Sequence, residues 1–375
     1  MKKIFITFSV ICLIWACSKT EEPVVDKFES FDRKSMLTNL GNNVVIPSFE
    51  GFYQKSDALD LAVTAYTSDL KNEQKLVAVQ QAWVEMAKAW KLASVFKQGP
   101  IEDKFLLSNI DYSSKGTYLN VTLLEKTISE GTTIDNAFIE SKGATVKGIH
   151  TIEYLIFDKA KANANIIGSY TGINGAKRTA YLKALSINLK NQAKLILDDW
   201  KGGYVTKFIN SDGRDINSSL GVMSNKLIDL IYTIRDERIG VPIGRRNNGT
   251  PQPDNAEAIL SESSIALAIN ELKGIENAFL GKNPSGADGI GIDDLLDKLE
   301  AKSGEELLSR KIKNQFTNVY AKLNAISKPL PIAVVNNKAE VQAAYDEIKK
   351  LQVMMEVDMI NNLGVLLTFS DNDGD

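Results

Sequence analysis

Histidine is almost missing from this chain of 375 residues, which contains one, His150. A zinc peptidase commonly holds its metal through two histidines and a carboxylate. Neither a helical His-Glu-x-x-His arrangement nor a His-x-x-Glu motif with a distant second histidine can therefore be built here. A serine triad would have to recruit His150 as its base, and the sequence contains no Gly-x-Ser-x-Gly elbow. The scarcity of histidine excludes these hydrolase sites.

Cysteine is also scarce, since the two cysteines both lie within the first 17 residues. Positively charged Met1–Lys3 precedes the apolar run Ile4–Trp15, a pattern typical of a secretory signal and too short to span a membrane. The segment Leu13–Cys17 resembles the cleavage box of bacterial lipoproteins. That resemblance implies a signal peptide over 1–16 and lipidation of Cys17, with an ordinary signal cut nearby as the alternative. The mature fold would then contain no disulfide and would depend on core packing.

Basic stripes are absent too, and the formal net charge is −3. We therefore expect no nucleic-acid partner. Residues 17–27 are polar and include Pro23, which is typical of a tether between a lipid anchor and a folded domain. We expect contact with the bacterial membrane through the acyl chains. The predicted location is the cell envelope, anchored at the outer membrane and either periplasmic or surface-exposed.

Alternating β patterns bounded by hairpin turns are scarce, whereas apolar residues recur every three or four positions through most of the chain. This spacing predicts an all-α protein. The clearest helices are expected around Trp83 and Trp90, around Tyr181 and Leu189, and over Ala256–Leu280, Ile292–Ala301, Glu305–Ile326 and Lys338–Leu363. Gly202-Gly203 and Asn210–Gly213 are turn signals near the middle. They predict two helical-bundle domains, 28–212 and 213–375.

His150 and Glu153 are three residues apart inside the apolar run Ile149–Phe157, so on a helix they project from one face. A buried histidine bonded to a helical neighbour is the purely structural interpretation. Against it, an unpaired carboxylate on an apolar face would cost several kcal/mol. Gly148 precedes the pair, which indicates that the helix begins there or that another segment approaches the backbone closely. We therefore treat the pair as a candidate metal site.

The surrounding sequence resembles the imelysin-like proteins, which are also known as iron-regulated or insulin-cleaving membrane lipoproteins. The segment 148–157 is similar to their Gly-x-His-x-x-Glu-Tyr-Leu motif. Four further segments match in the same order along the chain: Ala82–Pro100, Asp236–Gly244, Glu257 with Ser261 and Ser264, and Asp371–Asp375. The resemblance implies two helical bundles with the histidine motif near the groove between them, and a link to iron uptake at the bacterial envelope.

This resemblance defines the candidate site. His150 and Glu153 would bind the metal, and the ligand would also contact Gly148, Tyr154, Arg238, Glu257, Ser261 and Ser264. With one imidazole, any third ligand must be an oxygen, a set that suits iron or manganese at least as well as zinc. Haem ligation through His150 has little support.

The expected function is the capture of a divalent or ferric ion, or of a small metal-bearing ligand. Two alternatives stay open. One is a metallopeptidase in which Glu153 is a ligand or general base. The other is a non-catalytic scaffold that delivers cargo to an outer-membrane iron transporter.

Overall fold

The structure, a computed structural model, describes residues 26–114 and 116–368. Helices dominate these ranges. Their only regular strands are Lys302–Ser303 and Glu306–Leu307, which pair antiparallel with Lys302 opposite Leu307. The predicted all-α class is confirmed. The signal peptide at 1–16, Cys17 with most of its tether and the acidic tail Asp371–Asp375 lie outside the described residues.

Three long helices build the first half of the chain. Asn72 caps the second of them by accepting a hydrogen bond from the backbone N–H of Lys75. The stripe that includes Trp83 and Trp90 is fully buried, so these tryptophans belong to the core as predicted. The helices of this half, excluding the connection described next, are Arg33–Asn39, Ile46–Thr67, Glu73–Ala93, Ile149–Ile156, Asn163–Thr171, Gly175–Asp199 and Val205–Asn210, with π-helical turns at Leu40–Val45 and Trp200–Tyr204.

The long connection between residues 100 and 143 carries short helices of its own. They are Pro100–Asp103, Leu106–Ile110, Val121–Glu130 and Asn136–Glu140, preceded by the 3-10 turn Ser94–Phe96 and followed by the 3-10 turn Ala144–Val146. Asp111 directly follows the second of these helices. The connection therefore brings a buried carboxylate into the interior.

The second half contains the helices Ser219–Tyr232, Ser264–Leu280, Ile292–Lys298, Leu308–Asn324, Leu330–Asn336, Lys338–Val353 and Ile360–Leu363, with π-helical turns at Thr233–Gly240 and Met354–Met359 and a 3-10 turn at Pro253–Asn255. The predicted helix over Lys338–Leu363 is present with a π-helical segment inside it. The helix expected over Glu305–Ile326 begins only at Leu308, because Glu306 and Leu307 pair in the small ladder.

One prediction is wrong in a way that matters for the site. The helix expected over Ala256–Leu280 begins at Ser264, and the preceding residues form a compact turn. Ala258 and Glu262 in this turn have φ angles of +50° and +59°. Glu257, Ser261 and Ser264 therefore do not share a helical face, although their spacing fits one.

The two halves of the chain pack directly against each other. Helix Glu73–Ala93 contacts helix Ser264–Leu280. A Cβ on Gly274 would lie 2.4 Å from the carbonyl oxygen of Leu92, so the glycine permits this close approach. The division into domains 28–212 and 213–375 stays a prediction. None of the helices in the described ranges combines the length and apolarity needed to cross a bilayer.

Candidate functional site

Gly148 sets the position of the histidine helix. Its φ of +80° favours glycine, and a Cβ there would lie 2.4 Å from the carbonyl oxygen of Ile110. Helix Ile149–Ile156 begins directly after it, and both expectations for this glycine are confirmed. The close approach brings the histidine helix against the end of helix Leu106–Ile110. His150 consequently lies beside Asp111, the next residue after that end.

Two core tryptophans hold these segments in place. The indole N–H of Trp83 donates to the carbonyl oxygen of Ile149 at 2.8 Å. The indole N–H of Trp90 donates to Asp111 Oδ2, also at 2.8 Å. Both rings come from one face of helix Glu73–Ala93, so that helix fixes the start of the histidine helix and the Asp111 carboxylate together.

The centre of the molecule contains what we call the ionic cluster, defined as Lys91, Asp111, His150, Arg238, Glu257 and Glu271. Every member is at least nine-tenths buried. Lys91 Nζ lies 2.6 Å from Asp111 Oδ2 and 2.7 Å from Glu257 Oε1. Arg238 Nε lies 3.3 Å from Glu257 Oε2 and 3.6 Å from Glu271 Oε2. The cluster therefore packs two cations among three buried carboxylates.

Charge pairing decides how these buried groups ionise. Burial opposes the charge of Asp111, but Lys91 and His150 outweigh it and hold the pKa of that carboxyl well below its ordinary value. Burial and Arg238 disfavour the ammonium of Lys91, yet Asp111 and Glu257 raise its pKa. The pKa of Glu271 is raised, because its burial exceeds the effect of the two cations.

His150 faces the cluster through one ring nitrogen. Nε2 lies 2.9 Å from Asp111 Oδ1 and 3.6 Å from Glu257 Oε1. An ionised carboxylate can only accept, so Nε2 donates to Asp111. Nδ1 is buried without a hydrogen-bond partner. The Tyr118 ring lies against the imidazole, with centroids 4.8 Å apart. One carboxylate therefore fixes the orientation of the ring.

Asp111, His150 and Glu257 form the one group of three or more metal-type donors found within the described ranges, with one ligand atom from each lying within 4.8 Å of the others. An imidazole and two carboxylates are a donor set suited to iron, manganese or zinc. Lys91 already contacts both carboxylates, however. A bound ion would have to displace that ammonium from the oxygens that it shares.

Glu153 has a different neighbourhood from the one that the motif suggests. Its Oε1 accepts a hydrogen bond from the backbone N–H of Ser261 at 2.8 Å. It is not one of the three clustered donors. Burial raises the pKa of Glu153, although His150 and Ser261 oppose this. Its visible contact is with the turn before helix Ser264–Leu280, so its role as a metal ligand stays a prediction.

Ser261 and Ser264 stabilise that turn. The hydroxyl of Ser264 donates to the carbonyl oxygen of Glu257, and the Ser261 hydroxyl donates to the carbonyl oxygen of Ala258 at 3.2 Å. The turn delivers the Glu257 carboxylate to Lys91 and Arg238. These serines contact the ionic cluster through the backbone that carries Glu257.

Two cavities approach the ionic cluster from different sides. One, of about 580 Å³, follows the helix face made by His150, Glu153, Tyr154 and Phe157. We call it the histidine cavity. The other, of about 660 Å³, is lined by Asp111, Arg238 and Glu271 together with several hydroxyl side chains. Of the ligand-binding residues predicted from sequence, Tyr154 lines the first cavity and Arg238 the second.

Sequence reasoning missed Lys91, Asp111 and Glu271. Lys91 follows buried Ala87 by four residues and Glu271 follows buried Leu267 by four, so each charge occupies an apolar stripe position. That pattern was a usable signal, because a lone charge in such a position is costly unless paired. Asp111 lies in an irregular segment and carries no comparable local signal.

Comparison with known proteins shows which family the chain belongs to. The family model for imelysin matches residues 45–355. An imelysin-like protein from Psychrobacter arcticum 273-4 has a similar crystal structure, with a TM-score of 0.73, 19% identity and coverage of 90% of this chain and 97% of that one. A protein from Parabacteroides distasonis ATCC 8503, called an iron-regulated protein A precursor, gives a TM-score of 0.70 at 15% identity, with coverage of 92% and 97%.

Proposed function

Because the chain belongs to the imelysin family, we propose that it captures a metal ion, preferably iron, or a small metal-bearing ligand at His150. The observation that carries this proposal is the buried group of Asp111, His150 and Glu257, whose donor atoms lie within 4.8 Å of one another. The iron-related name of the Parabacteroides structure supports iron as the cargo. The histidine cavity provides the route from solution to the imidazole.

Asp111, His150 and Glu257 would hold the ion, and Glu153 would either join them or keep Glu257 in place through Ser261. To ligate the ion through Nε2, His150 would give up the proton that it donates to Asp111, either to its own Nδ1 or to solvent. Lys91 would have to withdraw from the carboxylate oxygens that it contacts. Its displacement lowers the affinity below that of the donor set alone, which suits a protein that must release its cargo.

The biological setting that we propose is iron uptake at the cell envelope. Lipidated Cys17 would hold the folded domain at the outer membrane through the tether 17–27. The domain would then be placed to exchange cargo with an outer-membrane iron transporter.

Metal binding to the purified mature protein tests the proposal. We expect wild-type protein prepared without chelators to retain or take up Fe²⁺ or Mn²⁺ with a stoichiometry near one, measured by elemental analysis and calorimetry. His150→Gln and Asp111→Asn should each lose tenfold or more in affinity, roughly what removal of one supporting group costs a metal site.

Asp293→Asn is the matched control, because Asp293 is also a buried aspartate paired with a lysine, 2.6 Å from Lys313 Nζ. It should bind metal like the wild type. Equal metal content in wild type and His150→Gln, with both folded, would overturn the proposal.

A metallopeptidase remains the second candidate, supported by the raised pKa of buried Glu153, a property of many general bases. This candidate predicts turnover of peptide substrates that both a chelator and Glu153→Gln abolish. A scaffold without a metal site predicts instead that His150→Gln leaves capture of the transporter intact.

A further inference from the structure

The walls of the histidine cavity are more apolar than a bare ion requires. Aromatic and aliphatic side chains surround the face that carries His150, namely Tyr118, Leu119, Tyr154, Phe157, Ile166 and Ile259. A volume of about 580 Å³ lies in the range of cavities that enclose small organic ligands. The cavity therefore has room for an organic molecule beside the imidazole.

A buried cation also lines this cavity. Arg178 is 9% exposed and lines the cavity wall. Its Nη1 donates to Glu125 Oε1 at 2.8 Å, and its guanidinium carbon lies 5.5 Å from the Tyr154 ring centroid. Its Nε is buried without a hydrogen-bond partner. A guanidinium has five N–H donors, so this one has capacity left for an anion.

The histidine helix sets the spacing along this wall. His150 and Tyr154 are one turn apart, a rise of roughly 6 Å, and the Arg178 guanidinium lies next to the Tyr154 ring. A ligand on this wall would place one end near the imidazole, an aromatic or aliphatic body against Tyr154, and an anionic end near Arg178.

We propose that the histidine cavity binds the organic part of a metal chelate, an aromatic hydroxy acid whose free anionic group pairs with Arg178 while its metal reaches His150. This inference rests on the proposed function and narrows the cargo from a free ion to a chelated one. Flat rings fit the aromatic walls, and an arginine fork matches a carboxylate. Arg178 would be a selectivity residue with no contact to the metal.

The test compares two probes on the purified mature protein. One is Fe²⁺ alone under anaerobic conditions, and the other is the ferric complex of 2,3-dihydroxybenzoate, followed by its charge-transfer absorbance and by calorimetry. We expect wild-type protein to bind the complex more tightly than the bare ion. Arg178→Gln should weaken binding of the complex by about tenfold or more, the usual effect of losing a charge-assisted hydrogen bond, and should leave Fe²⁺ binding unchanged.

Two further variants separate ligand selectivity from folding. Ser169→Trp places a large ring in the cavity from helix Asn163–Thr171, away from the ionic cluster, and should block the complex while Fe²⁺ still binds. Arg235→Gln is the matched control, because Arg235 is equally buried, pairs with Asp236 at 2.6 Å and stacks on Tyr232. It does not line this cavity and should bind both probes like the wild type.

The outcomes distinguish the two proposals. Suppose Arg178→Gln and Ser169→Trp alter the affinities for Fe²⁺ and for the ferric complex by the same factor, or alter neither affinity. The chelate inference is then overturned, whereas the proposal of ion capture stands. If His150→Gln keeps full affinity for Fe²⁺, the proposed function itself fails.

Discussion

Lys91 couples the ionic cluster to the proposed metal site, because its ammonium contacts two of the carboxylates that a metal ion would use. Inside a protein, losing one partner of a buried ion pair leaves an uncompensated charge, whereas replacing that partner with another cation does not. A lysine in this position would both stabilise the metal-free fold and compete with the metal ion that we propose.

Lys91→Met should therefore have opposite effects on folding and on binding. We expect the free energy of unfolding without metal to fall by about 3–5 kcal/mol, and the affinity for Fe²⁺ or Mn²⁺ to rise. Urea unfolding and calorimetry measure the two quantities.

Lys97→Met is the control, since Lys97 pairs with half-exposed Asp229 at 2.6 Å outside the ionic cluster. It should change neither quantity much. Unchanged metal affinity in Lys91→Met would show that the ammonium does not compete.

Glu153 gives a pH-dependent prediction. Burial raises its pKa in the folded protein, so the native state keeps this proton to a higher pH than the unfolded chain does. Its contribution to stability is greatest while both states are protonated and decreases as pH rises above about 4.3, the ordinary glutamate value. Glu153→Gln keeps an oxygen that can accept from Ser261 and removes the ionisation.

We expect the Gln variant to gain stability relative to the wild type as pH increases toward neutrality, and to match it in acid. Urea titrations across this range measure the difference. A difference in unfolding free energy between the variant and the wild type that stays constant with pH would contradict a raised pKa of Glu153. Retained metal affinity in the same variant would indicate that Glu153 supports the turn, and a tenfold or greater loss would indicate a ligand.

At the scale of the element, the histidine helix depends on its first turn. Gly148→Ala would force an unfavourable φ and a contact of 2.4 Å with Ile110. We expect a loss of more than about 1 kcal/mol in unfolding free energy and weaker metal binding, because the helix must move away from Asp111.

Gly143→Ala offers the comparison, since Gly143 has a φ of −66° and no neighbour within 4 Å of an added Cβ. It should be neutral or stabilising by about 0.4–1 kcal/mol. Thermal melts compare the stability of the two alanine variants, and calorimetry compares their metal affinity. Equal changes in both variants would refute this account of Gly148.

The helices were largely predictable because their apolar stripes are long and regular. The turn before Ser264 was not predicted, since its residues also fit helical spacing and its shape depends on distant contacts, above all the Glu153–Ser261 hydrogen bond. Ser263 and Ser264 before the apolar run were nevertheless a start signal of the kind that helices carry. For the site, the sequence indicated His150, Arg238 and Glu257. Asp111 is brought to them by the packing of a short helix, which no local pattern encodes.

At the scale of the whole molecule, no disulfide stabilises the described core, since residues 26–368 contain no cysteine. Large rings occupy its centre, including fully buried Trp83, Trp90 and Trp200. Cys17 lies outside the described residues. Its predicted lipidation would determine the location of the protein.

Cys17→Ser should move the protein from the membrane fraction to the soluble fraction of the envelope and abolish labelling by a fatty-acid analogue. Two acyl signals are needed for stable anchoring, and the serine variant would have none. Immunoblots of fractionated cells and the label provide the measurement. A serine variant that stays in the membrane fraction would rule out the anchor.

The ionic cluster joins the two halves of the chain, since Lys91, Asp111 and His150 come from the first half and Arg238, Glu257 and Glu271 from the second. Moving the halves apart would break the pair between Lys91 and Glu257, which spans them, while Lys91 would keep Asp111 and Arg238 would keep Glu257. If the halves stay together, a ligand of the histidine cavity would enter and leave past side chains of the cavity wall, and we expect side-chain rotation to set the rate of exchange.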